Sequence, residues 1–250
     1  MWQVALNNQE NKNIEITVII PATNEAMNIE RAVLSTISTI KNISQSFEML
    51  VAEDGSTDDT DIIAKKLEKD IPLVRHIHNK KRLGKGGAIV NALKFSCGEI
   101  IVIMDADLSA NLRHLKELVD SIRNDGYHIA IGSRMFQDSE VIRHKSRDIS
   151  SKIYNYTVRF IFQSVIRDHQ CGFKAFRRDA LTDLLKNTKE QGWFWDTEIL
   201  IKAQIRGYKI REIPIKWRER SFGESKFRLL IDYTIMFTKL FKLWFKFKLN

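Results

Sequence analysis

The run Ile101-Val102-Ile103-Met104-Asp105-Ala106-Asp107-Leu108 carries an apolar strand into two carboxylates separated by one alanine. At the carboxyl end of a strand, Asp-x-Asp sets two hard oxygen ligands on the rim of a sheet. There a Mg2+ or Mn2+ ion can bridge them to the phosphates of a substrate. Paired aspartates after a strand also serve as helix caps and turn residues. The metal-diphosphate reading gains support because Asp105 and Asp107 belong to a series of polar clusters, each closing a strand-like segment.

The first cluster is Ile20-Pro21-Ala22-Thr23-Asn24-Glu25, where proline is expected to stop the strand and Asn24 or Glu25 could cap the next helix. The second is Glu53-Asp54-Gly55-Ser56-Thr57-Asp58-Asp59-Thr60. Its glycine permits a tight turn, Ser56 to Asp58 can cap a helix, and Glu53 and Asp54 are expected to be free to accept bonds from a base or ribose. Another, Arg82-Leu83-Gly84-Lys85-Gly86-Gly87, offers backbone amides and one cation to a phosphate, although glycine turns also open helices for purely structural reasons.

Positioning these clusters requires a regular scaffold. Short Val/Ile runs near 16–20, 47–52, 73–77, 100–104 and 128–132 alternate with amphipathic segments near 27–41, 58–69, 86–96 and 111–124. The pattern predicts a βαβ series, hence a mostly parallel α/β sheet with helices on both faces and ligands at the carboxyl ends of its strands. Ile29, Val33, Ile37 and Ile40 form one apolar helix face, read as core packing. After Arg134 come a polar loop of about a dozen residues, a helix near 148–165, strand-like Gly172 to Phe176, a helix near 196–206, a strand at 209–217 and a Lys/Phe-rich helix. The expected division is 14–228 as one domain, its halves 14–133 and 134–228, followed by a helix over 229–250.

Composition narrows the partners. A chain of 250 residues with 44% apolar and 28% charged residues can bury a full core. Cys97 and Cys171 stand apart without metal-ligand spacing, which fits a reducing compartment. Residues 1 to 13 lack the apolar centre of a secretory signal, and no stretch reaches the ~18 apolar residues of a spanning helix. The net charge of +9 favours an anionic partner. Nucleic acid is not expected, because the strand ends of 14–133 form an acidic rim. From Leu229 onward, Leu229, Tyr233, Phe237, Leu240, Trp244 and Phe247 recur at helical spacing opposite Lys239, Lys242 and Lys246. A helix of this kind suits the headgroup layer of an anionic bilayer, and its first half equally suits packing on the core.

Taken in order, Ile-Pro-x-x-Asn-Glu, Glu-Asp-Gly-Ser-Thr-Asp, Leu-Gly-Lys-Gly, Asp-Ala-Asp-Leu and Gly-Ser-Arg resemble the inverting family-2 glycosyltransferases with a GT-A fold. Asp168-His-Gln-Cys-Gly-Phe-Lys-Ala-Phe, Trp195-Asp-Thr-Glu and Arg220-Ser-Phe-Gly-Glu-Ser-Lys226 narrow the likeness to the polyprenyl-phosphate branch, the dolichyl-phosphate mannose and glucose synthases. The resemblance implies a nucleotide-sugar donor, UDP-glucose or GDP-mannose, and a polyprenyl or dolichyl phosphate acceptor. It implies a peripheral enzyme of protein glycosylation at the cytoplasmic face of a membrane.

Residue by residue, it implies that Pro21, Asn24, Glu25, Glu53 and Asp54 hold the nucleoside, and that Asp105 and Asp107 bind Mg2+ or Mn2+ on the donor diphosphate with Ala106 between them. Lys85 would assist the donor, and Arg220 and Lys226 would close over it. Ser109 stands where similar mannose synthases carry a glutamine ligand. Arg134, Arg147 and Ser151 would grip the acceptor phosphate, the last two sharing a helical face; they could instead belong to a solvated basic loop with Arg143, His144 and Lys145. A phosphate acceptor is already ionised and needs positioning, whereas a glycan hydroxyl would need a base, for which the resemblance offers Asp196 or Glu198. Asp196 could otherwise orient the acceptor or cap a helix beginning at Thr197.

Overall fold

The structure, a computed structural model, describes residues 14–219 and 229–248. Arg220 and Lys226 lie outside the described residues. The strands are β1 (Ile16–Ala22), β2 (Phe47–Asp54), β3 (Val74–Asn79), β4 (Ile100–Ile103), β5 (Ile129–Ser133), β6 (Glu140–Ile142), β7 (Lys174–Arg177), β8 (Ile210–Pro214) and β9 (Lys216–Arg218). The helices are α1 (Ile29–Ile40), α2 (Thr60–Asp70), α3 (Lys85–Leu93), α4 (Leu115–Arg123), α5 (Lys145–Phe162), α6 (Arg178–Leu185), α7 (Trp195–Ile205) and α8 (Leu229–Lys248).

Seven strands form one sheet in the order β3-β2-β1-β4-β7-β5-β8, and β6 pairs with β9 in a small second sheet. Within β1, Ile16, Val18 and Ile20 face a cluster with Val33, Ile37 and Leu118, while Ile19 faces Ala88, Ile89 and Ile199 on the other side. Burial on both faces explains the near-continuous Val/Ile runs, since each fully buried aliphatic side chain contributes about 1.5–3 kcal/mol. The expected stripe on α1 (Ile29, Val33, Ile37, Ile40) is buried.

Several details differ from the sequence reading. β7 enters antiparallel between β4 and β5, so these two strands never pair. Proline does not stop β1, which continues through Pro21 to Ala22. Pairing with β4 ends at Ile19, so Pro21 has only β2 beside it and its missing N–H removes no bond to β4. The strand expected over 209–217 divides, because β5 ends opposite Pro214 and the chain then pairs with β6 in the former polar loop. The short α6 was not foreseen.

α8 turns the face assigned to a membrane partly inward. Leu240 is buried with Met236 and Leu243, and Tyr233 and Phe237 pack on the same cluster against Tyr154 and Val158 of α5. The outward side carries Ile231, Ile235, Phe241 and Phe245, with Lys242 and Lys246 among them. No helix among the described residues is long and apolar enough to cross a membrane.

Candidate active site

The direction of β7 builds the site. An antiparallel strand brings its amino-terminal approach, Cys171-Gly172-Phe173, to the rim where the parallel strands β4 and β5 end. After β4 the chain turns at Asp105 to Leu108, with Leu108 in the left-handed region at φ 51°. For a leucine this conformation costs roughly 1–2 kcal/mol. Asp107 is clamped by Ser109, whose backbone N–H donates to Oδ1 (2.8 Å) and whose hydroxyl donates to Oδ2 (2.6 Å).

Asp105 is 44% exposed and faces Gly172 so closely that a Cβ on that glycine would stand 1.9 Å from its Oδ2. The backbone angles of Gly172 do not demand glycine; the space does. On the other side Lys85 Nζ lies 2.9 Å from Asp105 Oδ1 and 3.3 Å from Asp196 Oδ2. Lys174 Nζ lies 2.6 Å from Asp196 Oδ1 and donates to the Cys171 carbonyl. The result is an alternating row of charges, Asp105, Lys85, Asp196, Lys174. Desolvation works against the Lys85 ammonium, yet Asp105 and Asp196 outweigh it and hold the group above the ordinary lysine value. Desolvation likewise opposes the Asp105 carboxylate, and Lys85 outweighs it, holding the group below the usual range. Asp196 lies inside α7, which begins at Trp195, so it is not the cap of a helix starting at Thr197. Both of its oxygens already face lysine ammonium groups.

The residues on this rim fit a hard divalent cation. Two bonds from Ser109 hold the Asp107 carboxylate on the rim, and the missing side chain at Gly172 leaves room for Asp105. Ser109 orients a carboxylate, the part an outer partner plays at a metal centre.

The second cluster works differently from the sequence reading. Asp54 is not free: its oxygens accept from the backbone N–H groups of Leu83 (2.7 Å) and Gly84 (2.8 Å). Glu53 is fully buried, accepting from Ser56 N–H (2.6 Å) through Oε1, with Oε2 2.6 Å from His78 Nδ1. These carboxylates organise loops because backbone donors near a buried carboxylate satisfy it at once. Gly87 N–H also donates to the Gln191 carbonyl (2.9 Å). The glycine segment therefore contributes chiefly the Lys85 ammonium, placed at the start of α3 by Gly84 at φ 88°. The first loop is stitched to the second: Asn24, at φ 52°, accepts from Thr57 N–H (2.7 Å), and Glu25 N–H donates to Thr60 Oγ1 (2.7 Å).

Arg134 at the end of β5 makes a bidentate pair with Asp168, at 2.7 Å through Nε and 2.8 Å through Nη2. Burial opposes both charges, but each holds the other ionised, Arg134 above and Asp168 below its ordinary value. Arg147 pairs with Glu219 (2.8 Å) and Ser151 is buried in α5. Two further groups escaped the sequence reading. Trp217 of β9 lines one cavity with Asp105, Ser109, Cys171 and Gly172. The guanidinium carbons of Arg134 and Arg143 lie 5.6 and 5.2 Å from its ring centre. Arg143 is thus no solvated loop residue: its Nε and Nη1 are buried without a hydrogen-bond partner among the described residues. Burial of the Cys171 thiol pushes it up to about 11, so it stands as a neutral group.

His169 fixes the segment that carries Asp168 and Gly172. Its Nε2 lies 2.9 Å from Ser164 Oγ, and its backbone N–H donates to Asn155 Oδ1 (2.8 Å). Burial lowers its pKa from 6.5 to about 3. The unfolded chain then binds the extra proton, so stability is present above about pH 6.5 and is lost as pH falls toward 3, at about 1.4 kcal/mol per unit. Urea unfolding should show wild-type protein losing about 2 kcal/mol between pH 6.5 and 5, and His169→Gln losing markedly less. Equal losses would refute the assignment to His169.

Residues 17–185 match the family described as glycosyl transferase family 2. The chain is 39% identical over 235 residues to the glycosyltransferase AglD of Haloferax volcanii, covering 93% of this chain and 37% of that relative, so it spans little more than a third of that protein. It is 31% identical over 243 residues to the dolichyl-phosphate beta-glucosyltransferase of Saccharomyces cerevisiae, covering 90% of this chain and 72% of the relative. Among solved structures it is similar to glucosyl-3-phosphoglycerate synthase from Mycobacterium tuberculosis in complex with Mn2+, UDP and phosphoglyceric acid. The TM-score there is 0.69 at 21% identity, covering 91% of this chain and 76% of the other. That likeness establishes the mostly parallel GT-A fold, and the chain belongs to glycosyl transferase family 2.

Proposed function

We propose that this protein transfers a hexose with inversion from a nucleotide sugar to polyprenyl or dolichyl phosphate at the cytoplasmic face of a membrane. One observation carries the reading: a single cavity joins the Asp105 rim to Trp217, on whose ring two arginines lie. The Asp105 carboxylate lines it for a metal-bound diphosphate, and the guanidinium groups of Arg134 and Arg143 lie on the Trp217 ring that forms its wall, suited to a second phosphate. The relative named as a dolichyl-phosphate beta-glucosyltransferase favours glucose as the sugar and a lipid phosphate as the acceptor.

Mg2+ or Mn2+, held by Asp105 and Asp107, would neutralise charge on the leaving diphosphate. Ser109 keeps Asp107 in register, and Lys85 sets a cation beside Asp105. Ala106 and the loops of Pro21 to Glu25 and Glu53 to Asp54 border the donor, the latter shaped by the carboxylates they enclose. Arg220 and Lys226 are proposed to close over the diphosphate. Arg134 and Arg143 orient the acceptor phosphate, whose ionised oxygen attacks the anomeric carbon without a base, while Arg147 and Ser151 hold α5 behind them. Asp196 positions Lys85 and Lys174.

Membrane contact is assigned to α5 and α8, which pack together. α5 exposes Ile149, Ile153, Tyr156 and Phe160, each more than half exposed, and α8 exposes Phe241 and Phe245 beside lysines. Flotation with anionic vesicles should fall severalfold in Phe241→Ser/Phe245→Ser; unchanged flotation would remove α8 from the membrane.

The donor is tested by incubating protein and Mn2+ with polyprenyl phosphate and labelled UDP-glucose or GDP-mannose in parallel. Organic-extractable label from UDP-glucose is expected. Label passing only to a water-soluble glycan would replace this reading with a hydroxyl-acceptor transferase.

A further inference from the structure

At the edge of the sheet, four side chains that make none of the proposed contacts to the metal, the diphosphate or the acceptor phosphate converge on one point. His76 and His78 alternate along β3, so both project to one face of that edge strand. His78 stands opposite Glu53 in the β2 ladder, and Asp61 reaches over them from the first turn of α2. One ligand atom from each of Glu53, Asp61, His76 and His78 lies within 4.8 Å of all the others. The closer spacings are 2.6 Å from His78 Nδ1 to Glu53 Oε2, 3.2 Å from His78 Nδ1 to Asp61 Oδ1 and 3.5 Å from His76 Nε2 to Asp61 Oδ1.

A second observation marks the cluster as a site. The His76 side chain is only 3% exposed, and its Nε2 and Asp61 Oδ1 are buried without a hydrogen-bond partner among the described residues, aimed toward each other. Two unsatisfied buried polar atoms facing one space are costly unless a ligand satisfies both.

We propose that Glu53, Asp61, His76 and His78 bind a zinc-class divalent cation, at a site separate from Asp105 and Asp107. Two imidazoles with two carboxylates suit Zn2+, whereas Mg2+ prefers an all-oxygen shell. Tetrahedral zinc needs ligand atoms about 3.3 Å apart, so the 2.6 Å His78–Glu53 pair opens while the wider pairs, all within 4.8 Å, close by roughly an ångström. Binding exchanges the His78–Glu53 hydrogen bond for bonds from both groups to the metal, with the His78 ring in the tautomer that carries its proton on Nε2. His78, whose side chain is 45% exposed, gives the ion its way in. The cation would lock both ends of the loop from Gly55 to Thr60, which carries the contacts to Asn24 and Glu25.

The test uses the full chain, stripped with chelator and kept in excess Mg2+, titrated with Zn2+ by calorimetry and by thermal unfolding. The expected result is one Zn2+ bound at micromolar or lower concentration, Tm raised by about 4 °C or more, and at least ~10-fold weaker binding in His76→Gln and in His78→Gln. Cobalt(II) should give the visible bands of a tetrahedral site. Absence of saturable Zn2+ binding, or binding unchanged in His78→Gln, would overturn the proposal and leave an ion-paired cluster. The partly exposed His78 makes its variant decisive if His76→Gln fails to fold.

Discussion

Gly172→Ala is expected to lower sugar transfer by about 100-fold or more while the protein stays folded. The added Cβ would fall 1.9 Å from Asp105 Oδ2 and 2.4 Å from Cγ, well inside contact distance. The backbone of Gly172 sits beside the β4 rim because β7 is paired on both sides, so the cheaper response is rotation of the Asp105 carboxylate. That rotation breaks its 2.9 Å contact with Lys85 and moves the oxygens proposed to hold the metal by about an ångström or more. Misplacement on this scale costs on the order of 100-fold in a reaction that depends on positioning. Initial rates with labelled donor, read beside circular dichroism and Tm, check it. A variant with native Tm and near-native rate would show that the placement of Asp105 does not matter.

Arg134→Met should destabilise the protein by about 3–5 kcal/mol, because it strands Asp168 as a buried charge. For a chain of this size that corresponds to a fall in Tm of about 10 °C. Asp168→Asn strands the guanidinium instead and should cost a similar amount. The double variant Arg134→Met/Asp168→Asn should cost less than the two losses added, by about 1–3 kcal/mol, since the residues share one pair of bonds. Recovery of stability should bring no recovery of transfer, because the proposed acceptor contact is the guanidinium itself. Urea unfolding of the four proteins decides the matter; additive losses would mean that the two groups do not act on each other.

The parts of this molecule readable from sequence are those written as repeated local patterns. Alternating Val/Ile runs and amphipathic helices gave the strand positions because burial on both faces leaves no other composition for β1, β2 and β4. The Asp105 and Asp107 turn was legible for the same reason, as a polar break after an apolar run. The direction of β7 was not, since it depends on the path taken through residues 134–173 and not on the four residues of the strand. Gly172 was invisible as a site residue because its importance lies in a neighbour 67 positions earlier in sequence. Arg143 follows the three-residue β6 and Trp217 is the middle residue of the equally short β9, too short for periodicity, and the β6 and β9 pairing brings them together. Two local signals could have been used. Asp-x-Ser at 107–109 suits a side chain bonding its own backbone two residues on, and His-x-His at 76–78 suits one face of a strand.

The central claim is that a phosphate oxygen, gripped beside the Asp105 rim, is the nucleophile. The direct measurement supplies purified protein, Mn2+ and labelled UDP-glucose with polyprenyl phosphate, with the same polyprenol lacking phosphate, or with no lipid, and counts organic-extractable label. Label with polyprenyl phosphate alone, lost in Asp107→Ala, is the predicted result. Equal labelling of the free polyprenol, or labelling that survives Asp107→Ala, would contradict it.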